Sequence, residues 1–312
     1  MRVTISGSTG LIGTALAQTL QRQGDEVRRL VRRPATSPDE AQWDPLAGPG
    51  GLDPAVLNGT DAVVHLSGAP IASRRWTGSR KRDLRASRIT STTTLVTAMI
   101  AAQQPPAVLL SASAIGWYGD TGEHEVDESS PAGPGFLATL VREWEAASAP
   151  AGAAGIRVVN LRTGVVLSRR GGMLGTLLPL FRLGLGARLG TGRQYLSWIA
   201  LADEVSAARF LLTHDEINGP VNLTAPHPVT NTEFTAALAS TLTRPALLRV
   251  PAPLLRAGLG EVSSELLASA RVLPRTLERA GFAFQYPEVN AALAAELRPS
   301  RRYSDPSTLT VK

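Results

Sequence analysis

Seven consecutive residues, Gly7-Ser8-Thr9-Gly10-Leu11-Ile12-Gly13, carry the strongest chemical signal in this chain. They stand between a short β-branched run, Arg2 to Ser6, and a stretch with helical spacing from Leu11 to Gln23. Glycines in that setting permit a tight turn, close approach of backbone to a pyrophosphate, and close packing of helix on strand. The helix N-terminus adds oriented N–H groups for the anion. A second strand, Glu26 to Val31, leads into Arg32-Arg33, where a site for NAD places Asp or Glu on the ribose hydroxyls. Arginine there pairs with a 2′-phosphate, so the expected cofactor is NADP(H); the alternative is two solvated arginines in an arginine-rich chain.

Three further strand ends offer chemistry. Leu66-Ser67-Gly68 closes a run that begins at Asp61, and small residues there let backbone approach a cofactor. Ser111-Ala112-Ser113 ends the next strand at the edge where a nicotinamide meets its substrate. Ser113 can hydrogen-bond a carbonyl or hydroxyl, and Tyr118 is the nearby phenol able to donate a proton, unless its ring only packs under the loop. Leu161-Arg162-Thr163-Gly164 ends the following strand. Its backbone can approach the nicotinamide amide, and Arg162 either meets an anionic substrate or bridges to a neighbouring acid.

The elements that position these residues alternate. A long helix from about Ser79 to Ala102 precedes a strand at Ala107 to Ser111, a helix at about Phe136 to Ala149 precedes Ile156 to Leu161, and Pro220 to Thr224 reads as a strand returning to the sheet. Such alternation predicts an α/β fold, a Rossmann-type doubly wound parallel sheet with a smaller, mostly helical C-terminal substrate lobe. The expected division is residues 1–167 plus about 200–225 for the NADP(H)-binding part, 168–199 plus 226–297 for the lobe, and 298–312 for a frayed tail.

Composition narrows the field. With 312 residues, 43% of them hydrophobic, the chain can bury a full core, and with no Cys it has neither a disulfide scaffold nor a thiolate site. Its four histidines lack metal-ligand spacing, so no metal is expected. The charge of +6 comes from arginines scattered along the chain, with Lys81 and Lys312 the two lysines, so nucleic acid is not an expected partner. Ile89 to Gly119 has no charged residue but is broken by Pro105-Pro106 and reads as helix, turn and buried strand. The expectation is a cytoplasmic protein with a small-molecule substrate and no membrane partner. His65 reads as a satisfied strand histidine and Lys81 as a helix-surface lysine. Glu123-His124-Glu125 with Asp127-Glu128 reads as a solvated loop, and Asp203 as a helix N-cap. Gln194, Ser197 and Trp198 are candidates to line a substrate pocket, with Trp198 equally suited to the core.

The G-x-x-G-x-x-G spacing resembles the extended short-chain dehydrogenase/reductase superfamily. The resemblance sharpens with Trp43-Asp-Pro45, Val64 to Gly68, Trp76, Lys81, Ser87-Arg88 and Ser111 to Asp120. It continues through Phe136-Leu-Ala138, Trp144-Glu145, Leu161 to Leu167, Ser197-Trp-Ile199, Arg271 to Pro274 and Ala280 to Phe284, and stops near Leu297. These resemble an atypical NAD(P)-dependent epimerase-like family with a C-terminal domain of unknown function. The resemblance implies a Rossmann domain binding NADP(H) and a substrate lobe. That superfamily uses a Tyr-x-x-x-Lys pair to exchange a proton while hydride moves. The corresponding helix here, Phe136 to Ala149, has neither residue. Two expectations follow: an oxidoreductase or epimerase-like protein acting on a small hydroxy/keto or nucleotide-sugar-like substrate, or a non-catalytic NADP(H)-binding sensor.

Overall fold

The computed structural model describes residues 1–71 and 74–298. Short apolar runs separated by helices have nowhere to hide both faces except a covered parallel sheet, and that is what forms. Seven strands, β1 (Arg2–Ser6), β2 (Glu26–Val31), β3 (Glu40–Gln42), β4 (Ala62–His65), β5 (Val108–Ala114), β6 (Arg157–Thr163) and β7 (Gly219–Leu223), lie in the order β7-β6-β5-β4-β1-β2-β3. Every pairing is parallel, with Ser6 beside His65, His65 beside Ser111, and Ser113 beside Arg162. The order reverses between β1 and β4, which opens a crevice at the carboxyl ends of those two strands, where open α/β sheets take their ligands.

Helix α1 (Leu11–Arg22) buries Leu16, Ala17 and Leu20. It shares one face of the sheet with α6 (Leu201–Thr213), in a core with Val3, Ile5, Val64, Leu110, Leu161 and Leu211. The other face holds α3 (Ser91–Ala101) and α4 (Phe136–Ala153), and its core contains Val63, Leu95, Met99 and Leu109; α2 (Gly78–Arg85) packs Leu84 into a separate cluster with Leu140 of α4. Strand residues alternate in direction, so Ser111 and Ser113 face with Leu109 toward α3 and α4. A further core gathers Leu174, Leu178 and Phe181 of α5 (Gly172–Arg182) with Trp198, Phe234, Leu238 and Leu293. A parallel pairing of Val165–Leu167 with Trp198–Ala200 ties it to the end of β6.

Several expectations needed correction. The helix expected from Ser79 to Ala102 is two helices joined by a π-helical turn, Ala86–Thr90. That turn places Arg88 inward, where its Nη2 donates to the Ala69 carbonyl at 2.9 Å. Asp203 is not an N-cap: the cap of α6 is Ala200, in extended conformation. Asp203 is buried in the first turn, and its carboxylate accepts the backbone N–H groups of Gln285 (2.8 Å) and Tyr286 (2.9 Å), which have no ladder partner of their own. The tail expected at 298–312 lies, apart from Arg298, outside the described residues.

Candidate functional site

The turn from β1 to α1 is built by three glycines with different duties. Gly7 has φ +70°, and a Cβ on it would sit 2.7 Å from the carbonyl carbon and oxygen of Leu66, at the end of β4. Gly13 packs so closely that its Cβ would lie 2.3 Å from the Gly7 oxygen. Gly10 is the N-cap of α1 and has no side chain with which to cap it, so the first-turn N–H groups are left to an outside acceptor. Beside them the Ser8 hydroxyl is buried and, among the described residues, without a hydrogen-bond partner, an arrangement native structures rarely leave unfilled. Opposite, Leu66-Ser67-Gly68 runs past the turn. The π-helical segment holds it there: Ser87 Oγ accepts the Ala69 N–H at 3.1 Å, and the Arg88 guanidinium lies under Gly68.

At the end of β2 the two arginines separate. Arg33 grips Glu40 with two bonds, Nη1 to Oε2 at 2.8 Å and Nη2 to Oε1 at 2.7 Å. Those contacts, with the Thr36 N–H, hold the Glu40 carboxyl down to about 2. Arg32 is exposed and has no hydrogen-bond or ion-pair partner among the described residues. Sequence reasoning treated the pair as equivalent, and Glu40 distinguishes them.

At the carboxyl ends of β5 and β6 the polar groups are closed on one another. Ser113 Oγ donates to Glu145 Oε1 at 2.6 Å. Arg162 donates to the same carboxylate twice, from Nε at 2.8 Å and Nη2 at 2.9 Å, and from Nη1 to the Tyr118 hydroxyl at 3.1 Å. Tyr118 donates onward to Asn222 Oδ1 at 2.8 Å. The Trp117 ring stacks on the guanidinium, 3.8 Å from Cζ. Burial pushes the Tyr118 phenol up to about 12 despite the adjacent Arg162 charge. Burial also opposes the Arg162 charge, and the Glu145 bonds outweigh it. Of the two fates open to Arg162, the fold realises the bridge to an acid. The phenol offered as a proton donor is 3% exposed and bonded on both sides, which is the packing role of the alternative reading. Glu145 escaped sequence reasoning as a site residue.

A family model described as the NAD dependent epimerase/dehydratase family matches residues 3–224, which include the turn, all seven strands and the Glu145 cluster. The chain belongs to that family. A second model, a domain of unknown function (DUF1731), matches residues 250–296. Among the family's relatives, the epimerase family protein Mb2239 of Mycobacterium bovis is 50% identical over 299 residues, covering 95% of this chain and 98% of its own. The solved structure of human epimerase family protein SDR39U1 (isoform2) with NADPH is similar at TM-score 0.87 and 36% identity, covering 95% of this chain and 98% of that one. A nucleoside-diphosphate sugar epimerase from Corynebacterium glutamicum is similar at TM-score 0.80 and 38% identity, covering 95% of this chain and 58% of that one.

The remaining candidates in this epimerase-family chain have structural duties. Gln194 donates to the Leu189 carbonyl at 3.1 Å; buried Ser197 bonds the backbone at Ala270 and Val272; Trp198 is fully buried. His65 is the satisfied strand histidine expected, with Nδ1 at 2.6 Å from Ser6 Oγ and Nε2 at 3.0 Å from Thr92 Oγ1. Burial holds its pKa down to about 4, so it is neutral at pH 7. Lys81 pairs with Glu261 at 2.6 Å.

The acidic loop is less solvated than expected. Glu125 pairs with Arg271 at 3.0 Å, and Glu128 Oε1 turns inward to accept the N–H groups of Asn222 and Thr276. Among the described residues no cluster of acidic or His side chains is arranged to hold a metal. Glu204 was not foreseen. It is buried on α6, accepts from Thr163 Oγ1 at 2.9 Å, and among the described residues its other oxygen has no partner. Burial pushes it up to about 8.

Proposed function

We propose that this protein binds NADP(H) along the carboxyl edge of the sheet and acts as an oxidoreductase or epimerase-like protein on a small hydroxy/keto or nucleotide-sugar-like compound. The observation that carries the cofactor reading is the uncapped α1 N-terminus with the unpartnered Ser8 hydroxyl beside it. The side-chain-free Gly7, Gly10 and Gly13 allow a pyrophosphate to reach those donors, with Ser8, Thr9, Leu11 and Ile12 completing the turn. Unpaired Arg32 takes the 2′-phosphate, and Arg33, held by Glu40, shapes the strand end. Leu66, Ser67 and Gly68 border the crevice, and backbone at Arg162, Thr163 and Gly164 borders the nicotinamide end. Nicotinamide, when bound, supplies a hydride donor or acceptor.

For proton movement the chain has Ser113. Its Oγ donates to the Glu145 carboxylate, so a substrate hydroxyl placed against Ser113 passes its proton to Glu145 through that oxygen. Arg162 fixes the carboxylate in place. One set of observations supports a non-catalytic sensor instead: α4 has neither Tyr nor Lys, and Tyr118 is enclosed.

The test is a fluorescence titration of cofactor-stripped protein with NADPH and NADH. Tight binding of NADPH is expected, with a loss of roughly tenfold or more in Arg32→Ala, a smaller loss in Arg33→Ala, and little change for NADH in either. No binding of either nucleotide at about micromolar concentration would remove the reading. The two forms of the proposal separate on Ser113→Ala: it abolishes NADPH oxidation by a responsive keto compound if the protein is an enzyme, whereas a sensor oxidises NADPH with none.

A further inference from the structure

Two long stretches of this basic chain contain no acid at all: residues 146–202, between Glu145 and Asp203, and residues 234–260, between Glu233 and Glu261. The fold brings parts of them together. Leu248–Val250 pairs in parallel with Ala187–Leu189, which sets Leu248 opposite Ala187 and Arg249 opposite Arg188. Close by, a Cβ on Gly186 would lie 3.0 Å from the Ala246 Cβ. On this joint the apolar side chains face outward: Leu247 is 91% exposed and Leu183 74%, with Leu185 and Leu248 also in solvent. Arg182, Arg244 and Arg249 stand exposed beside them in sequence. None of the three has an acidic partner among the described residues, and Arg249 Nε only donates to the Gly190 carbonyl at 2.7 Å. The helix Ala252–Leu259 follows directly and has no buried residue, with Leu254, Leu259 and Arg256 all exposed.

We propose that this face docks on the surface of an anionic lipid bilayer. Leucines at turn tips enter the boundary between headgroups and acyl chains, while guanidinium groups pair with lipid phosphates, and the two contributions reinforce each other. Charge decides against a second copy of the chain, because a two-fold contact through this patch sets arginines against arginines. The exposure of Leu247 and Leu183 decides against a bound peptide, since helical ligands sit in grooves and these side chains project. Surface docking needs no membrane span, and no helix among the described residues is long and apolar enough to make one. The proposal departs from the sequence expectation of no membrane partner: arginines scattered along the chain are gathered in space here.

The test is co-sedimentation of the full chain with vesicles of phosphatidylcholine alone and of phosphatidylcholine with about one-third phosphatidylglycerol. The expected result is binding to the anionic vesicles only, weakening as salt rises from about 50 mM to about 500 mM. Arg182→Glu with Arg244→Glu lowers that binding roughly tenfold or more. Leu183→Ser with Leu247→Ser lowers it severalfold, and both pairs keep wild-type NADPH affinity and thermal midpoint. No vesicle binding, equal binding to neutral vesicles, or binding unaffected by all four substitutions overturns the proposal. Dimerisation abolished by the leucine substitutions, or binding to an acidic amphipathic peptide without vesicle binding, overturns it too and assigns the face to a protein.

Discussion

The turn at Gly7 to Gly13 and the cluster around Glu145 occupy the same edge of one sheet, some two strands apart, and they treat their polar groups in opposite ways. At the turn, the α1 N–H groups lack a side-chain cap and the Ser8 hydroxyl is buried without a partner. At the cluster, Ser113, Arg162 and Tyr118 all donate to partners within the chain. Open donors held rigid by glycine packing are ready for a ligand that arrives from outside; closed donors brace the ends of β5 and β6 against α4. The difference also explains why Tyr118 is poorly placed for proton exchange. A phenol raised by burial holds its proton more tightly, whereas proton exchange near neutral pH needs a phenol that releases it more readily.

Removing the keystone of the closed region gives the largest expected effect. Arg162→Ala leaves the half-buried Glu145 carboxylate without its main partner and is expected to destabilise the fold by about 3 kcal/mol, read as a lower denaturant midpoint. Wild-type-like stability in that variant would erase the contrast between the regions.

Next comes pH. His65, between the two regions, has a pKa of about 4 in the fold against 6.5 free. The unfolded chain therefore binds more protons between those values, and stability present above pH 6.5 is lost as pH falls toward 4, by on the order of 3 kcal/mol. Glu204 has the reverse sign: raised from 4.5 to about 8 by burial, it contributes stability below pH 4.5 that is lost as pH rises to 8. Thermal midpoints from pH 4 to 8 should fall at both ends, and Glu204→Gln should flatten the alkaline fall while leaving the acid one. The smallest effect is expected from Tyr118→Phe, about 1 kcal/mol for the lost hydroxyl bonds, with NADPH affinity unchanged.

The open region was legible in the sequence because it is local. Its glycines, strand and helix are contiguous, and β1 and β2 run over the residues expected. The closed region was not, because its contacts join residues 32 apart for Ser113 and Glu145 and 104 apart for Tyr118 and Asn222. One signal was available. Glu145 falls on the stripe of α4 that buries Val141, Trp144 and Ser148, and an acid on an inward stripe needs a cation. Arg33 and Glu40 are seven residues apart, yet β3 is only three residues long, too short for a pattern of its own. The departure of Asp203 from the capping role has the same origin: its partners at Gln285 and Tyr286 are over 80 residues away.

The placement of α6 has a consequence for synthesis. After β6 the chain leaves the sheet for α5 and returns only with α6 and β7. Helix α1, which presents the turn, rests its inner stripe on α6, roughly 190 residues later in the chain. A ribosome must therefore translate through Thr213 before Leu16 and Leu20 gain that cover, and β6 waits a shorter stretch, from Val159 to its partner Gly219, for β7. Over that interval the nascent chain exposes strand edge and apolar helix face together, the combination that draws chaperones and invites aggregation. Release of a fragment ending before residue 201 would yield the complete glycine motif on a helix with half its support missing.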